Sequence, residues 1–248
     1  MAASATSPPT TRNRLLAALP PEVLKQLWPQ LEPAELSLNE TLHTAGQPIE
    51  AVFFPESGWA SMIAPLEDGD GSEVGLIGRD GLVGLPVLLD AEADDLEALV
   101  QQPGTALRME ADAFRAALES HPDFRALLNR YVLVHLGQVA RTAACNVRHQ
   151  LEQRLARWLL MARDRADGDS FVMTHEYLSL MLGVRRSGVT VAAGLLQRAG
   201  MIRYGGGRME VTDRPGLESI ACECYGVVRR SSERLFGLPP GAKAFYRA

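Results

Sequence analysis

The sequence has little of what several large classes of protein require. Cysteine is scarce: Cys145, Cys222 and Cys224 are the only three in 248 residues. They are too few and too clustered for a disulfide framework, which points to a reducing, cytoplasmic setting. No apolar run approaches the roughly 18 residues of a membrane span, so a membrane partner is not expected. The opening "MAASATSPPTT" has neither the basic start nor the apolar stretch of a secretory signal. Its composition instead predicts a disordered tail over residues 1–14. The histidines His43, His121, His135, His149 and His175 show no H-x-H or HExxH spacing. There is no P-loop and no nucleophile motif, so neither an enzyme nor any catalytic residue is expected.

Metal and cofactor readings are equally thin. Cys222-x-Cys224, placed on a terminal helix, would send its sulfurs to different sides and chelate poorly. The cysteines are therefore read as small packing residues, with no metal site and no cofactor. As haem ligands His43 and His135 weigh less than as ordinary core or surface histidines. Asp68, Asp70 and Glu73 read as solvated residues of a hairpin rather than as a carboxylate pair.

What is present is a division of charge. Residues 1–147 hold 9 Lys/Arg against 20 Asp/Glu, and residues 148–248 hold 16 against 10. An acidic module joined to a basic one suggests that the second half meets a polyanion.

The hydrophobic pattern divides the chain in a similar way. "LPPEVLKQLWPQLEP" (19–33) predicts a short helix with Pro21 in its first turn. From about Ala34 to Met109, short apolar runs broken by Gly, Pro and Asp predict a small β sandwich or roll, with "EDGDG" (67–71) as a hairpin tip. "EADAFRAALESH" is a helix by its spacing. Pro122 then opens a helix to about Cys145, roughly 36 Å long at ~1.5 Å per residue. Leu128, Tyr131, Val132, His135 and Val139 on it are the expected contacts of a self-paired dimer helix. The expected domains are thus a β roll over 15–120, a dimerisation helix over 121–147 and a DNA-binding domain over 148–248, giving an α+β fold.

The most specific stretch is "THEYLSLMLGVRRSGVTVAAGLLQ" (174–197). Thr174 is a helix N-cap by type, with Tyr177 where a full capping box would place Glu or Gln. Leu178, Met181 and Leu182 face inward, and Gly183 closes the first helix with the left-handed backbone that a tight turn needs. A second helix starting near Arg185 buries Val189, Ala192, Leu195 and Leu196. This is a helix–turn–helix pattern. Its second helix would enter a major groove, where a guanidinium fork can donate to both O6 and N7 of guanine. The expected DNA-binding residues are Thr174, His175, Arg185, Arg186, Ser187, Thr190 and Val191, with Arg203 and Arg208 on a wing built from "IRYGGGRMEV".

On these residues the chain resembles the Crp/Fnr transcription regulators. The string over 161–204 resembles their winged helix–turn–helix, and "TDRPGLESIACECYGVVRR" (212–230) a tail found in one branch of the family. "ETLHTAGQPIEAVFFPESGWASMI" is similar to the early strands of their β roll. The resemblance implies a β-roll sensor with a cyclic-nucleotide-binding-like jelly-roll fold. It also implies a homodimer on two-fold-related DNA and RNA polymerase as a further partner. Arg186 falls where the family often reads guanine; Ser187 stands where Glu is common, and Val191 replaces a second arginine. An effector pocket would fall on Gly78, Arg79, Asp80 and Gly81, with Leu96 and Glu97 where the phosphate-holding Arg-Ser is expected. Cyclic AMP is therefore not expected to bind, and the effector is unidentified. Two rivals stay open: a ligand-binding protein whose C-terminal domain mediates interaction only, and a thiol-redox sensor.

Overall fold

The computed structural model describes residues 9–67 and 71–239. Two short helices, α1 (Arg14–Ala17) and α2 (Pro21–Leu27), lead into seven strands: β1 (Glu32–Leu36), β2 (Thr41–His43), β3 (Ala51–Pro55), β4 (Trp59–Pro65), β5 (Gly71–Ile77), β6 (Glu97–Gln102) and β7 (Gly104–Glu110). A one-turn helix, α3 (Leu85–Leu88), lies between β5 and β6. The strands form two antiparallel sheets, ordered β1-β7-β3 and β2-β6-β4-β5. This is the expected β roll. Alternating inward residues such as Val52, Phe54, Leu107 and Met109 form its core with Phe114 and Phe124 from the helices that follow.

The roll begins earlier than its composition suggests. Asn13 is fully buried; its side-chain amide donates to the carbonyls of Pro55 and Gly81, and its Oδ1 accepts from the Leu15 and Leu16 amides to cap α1. Thr11 donates to Glu56, and Arg12 pairs with Asp167. The expected tail over 1–14 is thus corrected for residues 11–14, which are tied down by hydrogen bonds. Residues 1–8 lie outside the described residues, as do Asp68 and Asp70 of the expected hairpin tip.

The helical part starts with α4 (Ala111–Ser120) and the long α5 (Pro122–Arg148), three residues longer than its apolar spacing shows. Then come α6 (Leu151–Arg165), β8 (Ser170–Val172), α7 (His175–Leu182) and α8 (Arg186–Arg198). A hairpin of β9 (Ile202–Gly205) and β10 (Arg208–Val211) follows, and β8 joins it as a three-stranded wing. The single terminal helix expected to carry Cys222 and Cys224 is instead two helices, α9 (Arg214–Ile220) and α10 (Glu223–Leu235). The chain turns at Ala221 and Cys222, both with extended backbone angles.

The two halves meet on α6. Trp59, Ile63 and Leu76 of the roll share one core with Leu155, Trp158 and Leu159 of α6 and with Phe171 and Met181 beyond it. Trp59 meets Phe171 edge-on at 5.6 Å. Polar groups close the joint. Arg165 donates to Asp80 at 2.7 Å, and Tyr177 to Asn39. On α5, Gln138 donates to the Leu76 carbonyl at 3.2 Å. Glu73, expected to be solvated, is instead buried at the joint, where its carboxylate accepts from Ser61 Oγ (2.5 Å) and Trp158 Nε1 (2.8 Å).

Burial pushes the Glu73 carboxyl up to about 7, against the opposing effect of those hydrogen bonds and of Arg157 and Arg165. The folded protein therefore holds this proton over a range in which the unfolded chain releases it. The associated stability is complete below an ordinary glutamate pKa and falls as pH rises to about 7, by about 3 kcal/mol in all. Asp164, raised to about 6 by burial, adds in the same direction, so the comparison needs a variant. Glu73→Gln should flatten the fall in urea midpoint between pH 5 and pH 7.5 relative to the natural chain. Identical pH slopes for the two proteins would contradict this role.

Candidate nucleic-acid interface

The geometry of the helix–turn–helix follows from its caps. Thr174 has extended backbone angles, and its Oγ1 accepts from the Tyr177 amide at 3.2 Å, fixing the start of α7. Gly183 ends α7 at φ +59°, where the Val184 amide donates back to the Ser179 carbonyl at 3.0 Å. Arg185 is extended and serves as the N-cap of α8 without a side-chain cap, which leaves the first amides of α8 to an outside acceptor. Val189, Ala192, Ala193 and Leu196 face inward. Arg185, Arg186, Ser187, Thr190 and Val191 are exposed, with the Arg186 side chain 70% accessible. Leu195, expected in the core, lies on the outer face, because α8 buries the 189–192–193–196 stripe.

Two of the expected residues also brace the motif. Thr190 Oγ1 donates to the Arg186 carbonyl at 3.1 Å and lies 3.0 Å from His175 Nδ1. The His175 ring stacks on Tyr204 of the wing at 4.2 Å and 18°. Burial, then the charge of Arg186, holds the His175 pKa below the ordinary histidine range, so the stack forms with neutral imidazole near pH 7. Tyr204 was not singled out by sequence spacing; only the register of the wing brings it to His175. Its amide also donates to Gln197 Oε1 at 2.8 Å, tying the wing to α8. The wing turn is Gly206-Gly207, with φ +58° and +74°, the two-residue turn that the twist of a hairpin favours. Arg208 is exposed beside it, and Arg203 pairs with Glu210 at 2.9 Å.

Arg185 and Arg186 border a cleft of about 920 Å³ whose opposite wall is β4 and β5 of the roll. Glu97 and Glu176 lie on it too, with Glu176 Oε2 3.7 Å from Arg186 Nε. The ion pair is exposed and hence weak, and leaves the arginine available to a stronger anion.

The residues expected to form one effector pocket are dispersed. Gly78 packs against the Arg165 side chain, and Gly81 lies under the Tyr131 hydroxyl. Arg79 is buried with Asp167 at 3.6 Å, and Asp80 pairs with Arg165. This loop is a joint between the halves because its short glycines admit the helices closely. Leu96 lines a different feature, an almost wholly apolar groove of about 500 Å³ between the roll and α5. Glu97 lies on the cleft beside Arg185.

Of the expected dimer-helix contacts, Leu128 and Tyr131 are not open to a partner. Leu128 and Tyr131 are buried within their own subunit, packed in the core of the roll. Val132, His135 and Val139 line the apolar groove. The stripe left open is Leu133, Leu136, Ala140, Ala143 and Val147.

Two family models match the chain: a cyclic nucleotide-binding domain over residues 33–121 and a Crp-like helix-turn-helix domain over residues 153–220. No curated protein matches it. Among solved structures, the chain is similar to FixK2 from Bradyrhizobium japonicum, with TM-score 0.67 and 16% identity, over 77% of this chain and 98% of that one. It is similar to a regulator of the Crp/Fnr family from Eubacterium rectale, with TM-score 0.64 and 15% identity, over 83% and 96%. A CRP-family regulator from Thermus thermophilus gives TM-score 0.62 and 21% identity, over 76% and 96%. These likenesses carry the fold, while the two family models name both halves in their order along the chain. With a nucleotide-binding-type β roll, a long helix and a Crp-like helix–turn–helix in succession, this chain belongs to the Crp/Fnr family of transcription regulators.

Proposed function

We propose that the chain is a homodimeric, sequence-specific DNA-binding regulator that reads a two-fold site with paired copies of α8. One observation carries the reading: the start of α8 presents Arg185, Arg186 and Ser187 to solvent on a helix whose other face is packed. Arg186 reads guanine as a bidentate donor, Ser187 and the uncapped amides of α8 hold phosphate, and Val191 meets a thymine methyl. Thr174 and His175 act by position: the first caps α7, and the second stacks α7 on the wing. Arg203 and Arg208 lie along phosphates, where charge alone supplies affinity.

Pairing of subunits rests on α5. Leu133, Leu136, Ala140, Ala143 and Val147 recur at alternating spacings of three and four, which is a heptad seam. Leu133, Leu136 and Val147 are 69%, 60% and 82% exposed. Apolar side chains in such a line gain free energy when a second copy covers them. The two-fold axis then sets the spacing of the two α8 helices, and only a spacing near ~34 Å matches successive major grooves. Regulation is a shift in the population of that spacing.

The roll does not hold a cyclic nucleotide in this reading. Its apolar groove is lined by residues such as Met62, Ile77, Leu85 and Leu96, with Asp94 at its edge and no guanidinium among the described residues. A cyclic phosphate there would face a carboxylate in place of its clamp.

Three measurements test the proposal. In gel shifts on fragments selected from the source genome, Arg186→Ala should weaken specific binding roughly tenfold to a hundredfold. Arg208→Ala should instead weaken all sequences alike and lower the salt slope by about one. Unchanged shifts, or affinity that does not vary with salt, would favour a domain that mediates protein contact only. Leu136→Glu should give a monomer in sedimentation; a persistent dimer would place the interface elsewhere. Calorimetry with cyclic AMP should show no heat of binding, and micromolar affinity would refute the account of the groove.

A further inference from the structure

At the joint between α5 and α6, residues far apart in sequence converge. Cys145 lies in the last turn of α5, and His149 is the C-cap of that helix. Cys222 is the N-cap of α10, and Cys224 lies in its first turn. The three thiol sulfurs and a His149 ring nitrogen all lie within 4.8 Å of one another. Cys145 Sγ is 3.4 Å from Cys222 Sγ, and Cys224 Sγ is 3.8 Å from His149 Nδ1. The cysteines are almost fully buried. The expectation that Cys222-x-Cys224 diverges is corrected here: Cys222 is extended and outside the helix, so its sulfur turns back toward that of Cys224.

We propose that Cys145, His149, Cys222 and Cys224 bind a single zinc ion with tetrahedral geometry. The dimensions suit one ion. With Zn–S near ~2.3 Å and Zn–N near ~2.0–2.1 Å, the edges of the tetrahedron are about 3.5–3.8 Å. The observed 3.4 and 3.8 Å lie close to that, and the 3.4 Å between the Cys145 and Cys222 sulfurs far exceeds the ~2.05 Å of a disulfide. A redox pair would use two sulfurs and leave a third thiol and an oriented imidazole without purpose. A cluster of several irons needs ligands set farther apart than these.

The surroundings fit the ion as well as the ligands do. His149 Nε2 lies 3.1 Å from Glu223 Oε2, the carboxylate–histidine contact that fixes a ligand ring and directs its other nitrogen to a metal. Three thiolates, a neutral imidazole and Zn²⁺ sum to one negative charge. Arg157, buried nearby, supplies a positive field at Cys145 and Cys224, and its Nε has no hydrogen-bond partner. The N-terminus of α10 adds its own partial positive charge to the two sulfurs it carries. Metal uptake releases the three thiol protons to solvent and is therefore weaker at lower pH. The bound ion would pin the end of α5 to α10, and so hold the DNA-binding half at one angle to the helix proposed to pair the subunits.

The test is a titration of reduced, metal-free, full-length protein with Co²⁺ and then Zn²⁺, in the absence of DNA, so that it is independent of the DNA reading. The expected result is one Co²⁺ per protomer, with the thiolate charge-transfer band and strong visible absorption of a tetrahedral site, displaced by one Zn²⁺. Cys224→Ser should remove much of the charge-transfer intensity. Glu223→Gln, on an exposed side chain and hence without risk to folding, should lower affinity tenfold to a hundredfold. Failure of the folded protein to bind stoichiometrically, a spectrum without thiolate charge transfer, or affinity unchanged in both variants would overturn the site. So would a Cys145–Cys222 disulfide that forms equally fast with and without zinc.

Discussion

The burial of α6 is the constraint on which the rest of the structure depends. From Arg154 to Asp164 all but one residue of this helix is withdrawn from water, including Arg154, Arg157 and Asp164, and Arg165 follows them. Charges in such a place are costly unless paired; neighbours pair Asp164 and Arg165, while Arg154 and Arg157 donate to the Leu182 carbonyl and the Thr142 hydroxyl. Asp80 of the β roll takes Arg165, Arg214 and Tyr225 take Asp164, and Glu73 accepts from Trp158 between them. Each pair joins α6 to a different element. The orientation of α7, α8 and the wing relative to the roll is therefore set by a polar joint within an apolar core, rather than by a linker.

That joint gives the recognition helix its setting. The caps on α7 and the Gly183 turn fix the angle between α7 and α8 locally, and the His175–Tyr204 stack fixes the wing to both. The α6 joint then carries this unit as one piece. On its other side α5 runs past the roll and leaves an open seam along its length. The distance between two recognition helices in a dimer thus depends on two connections, the seam of α5 and the turn at His149 between α5 and α6. The apolar groove beside Val132, Leu136 and Val139 touches the first, and the cysteine–histidine cluster lies at the second.

Much of this was legible in the sequence where the signal is local. Thr174, Gly183 and the 189–192–196 spacing give the helix–turn–helix, because caps and periodicity act within a few residues. The β roll follows from alternation and turn residues, and the charge division falls where α5 gives way to α6. The misreadings share one cause, which is dependence on contacts distant in sequence. Helix α5 carries apolar residues on more than one side, so its periodicity alone does not tell Leu128 and Tyr131, buried in the subunit, from Leu133 and Leu136, left open. Leu195 fails for the same reason. The Gly78–Gly81 loop looks like a ligand cradle until Arg165 is seen packed against it. Nothing near Ala221 marks a helix break, having neither glycine nor proline, and so the convergence of Cys222 and Cys224 on Cys145 is invisible before the chain is folded.

Two copies of α8, held by the α6 joint and twinned along α5, are proposed to occupy successive grooves of one duplex. Hydroxyl-radical footprinting of the bound operator tests it most directly. Two protected segments related by a two-fold axis are expected, their centres about one helical turn (~10–10.5 base pairs) or a multiple of it apart. A single protected segment, or protection without a fixed spacing, would contradict it.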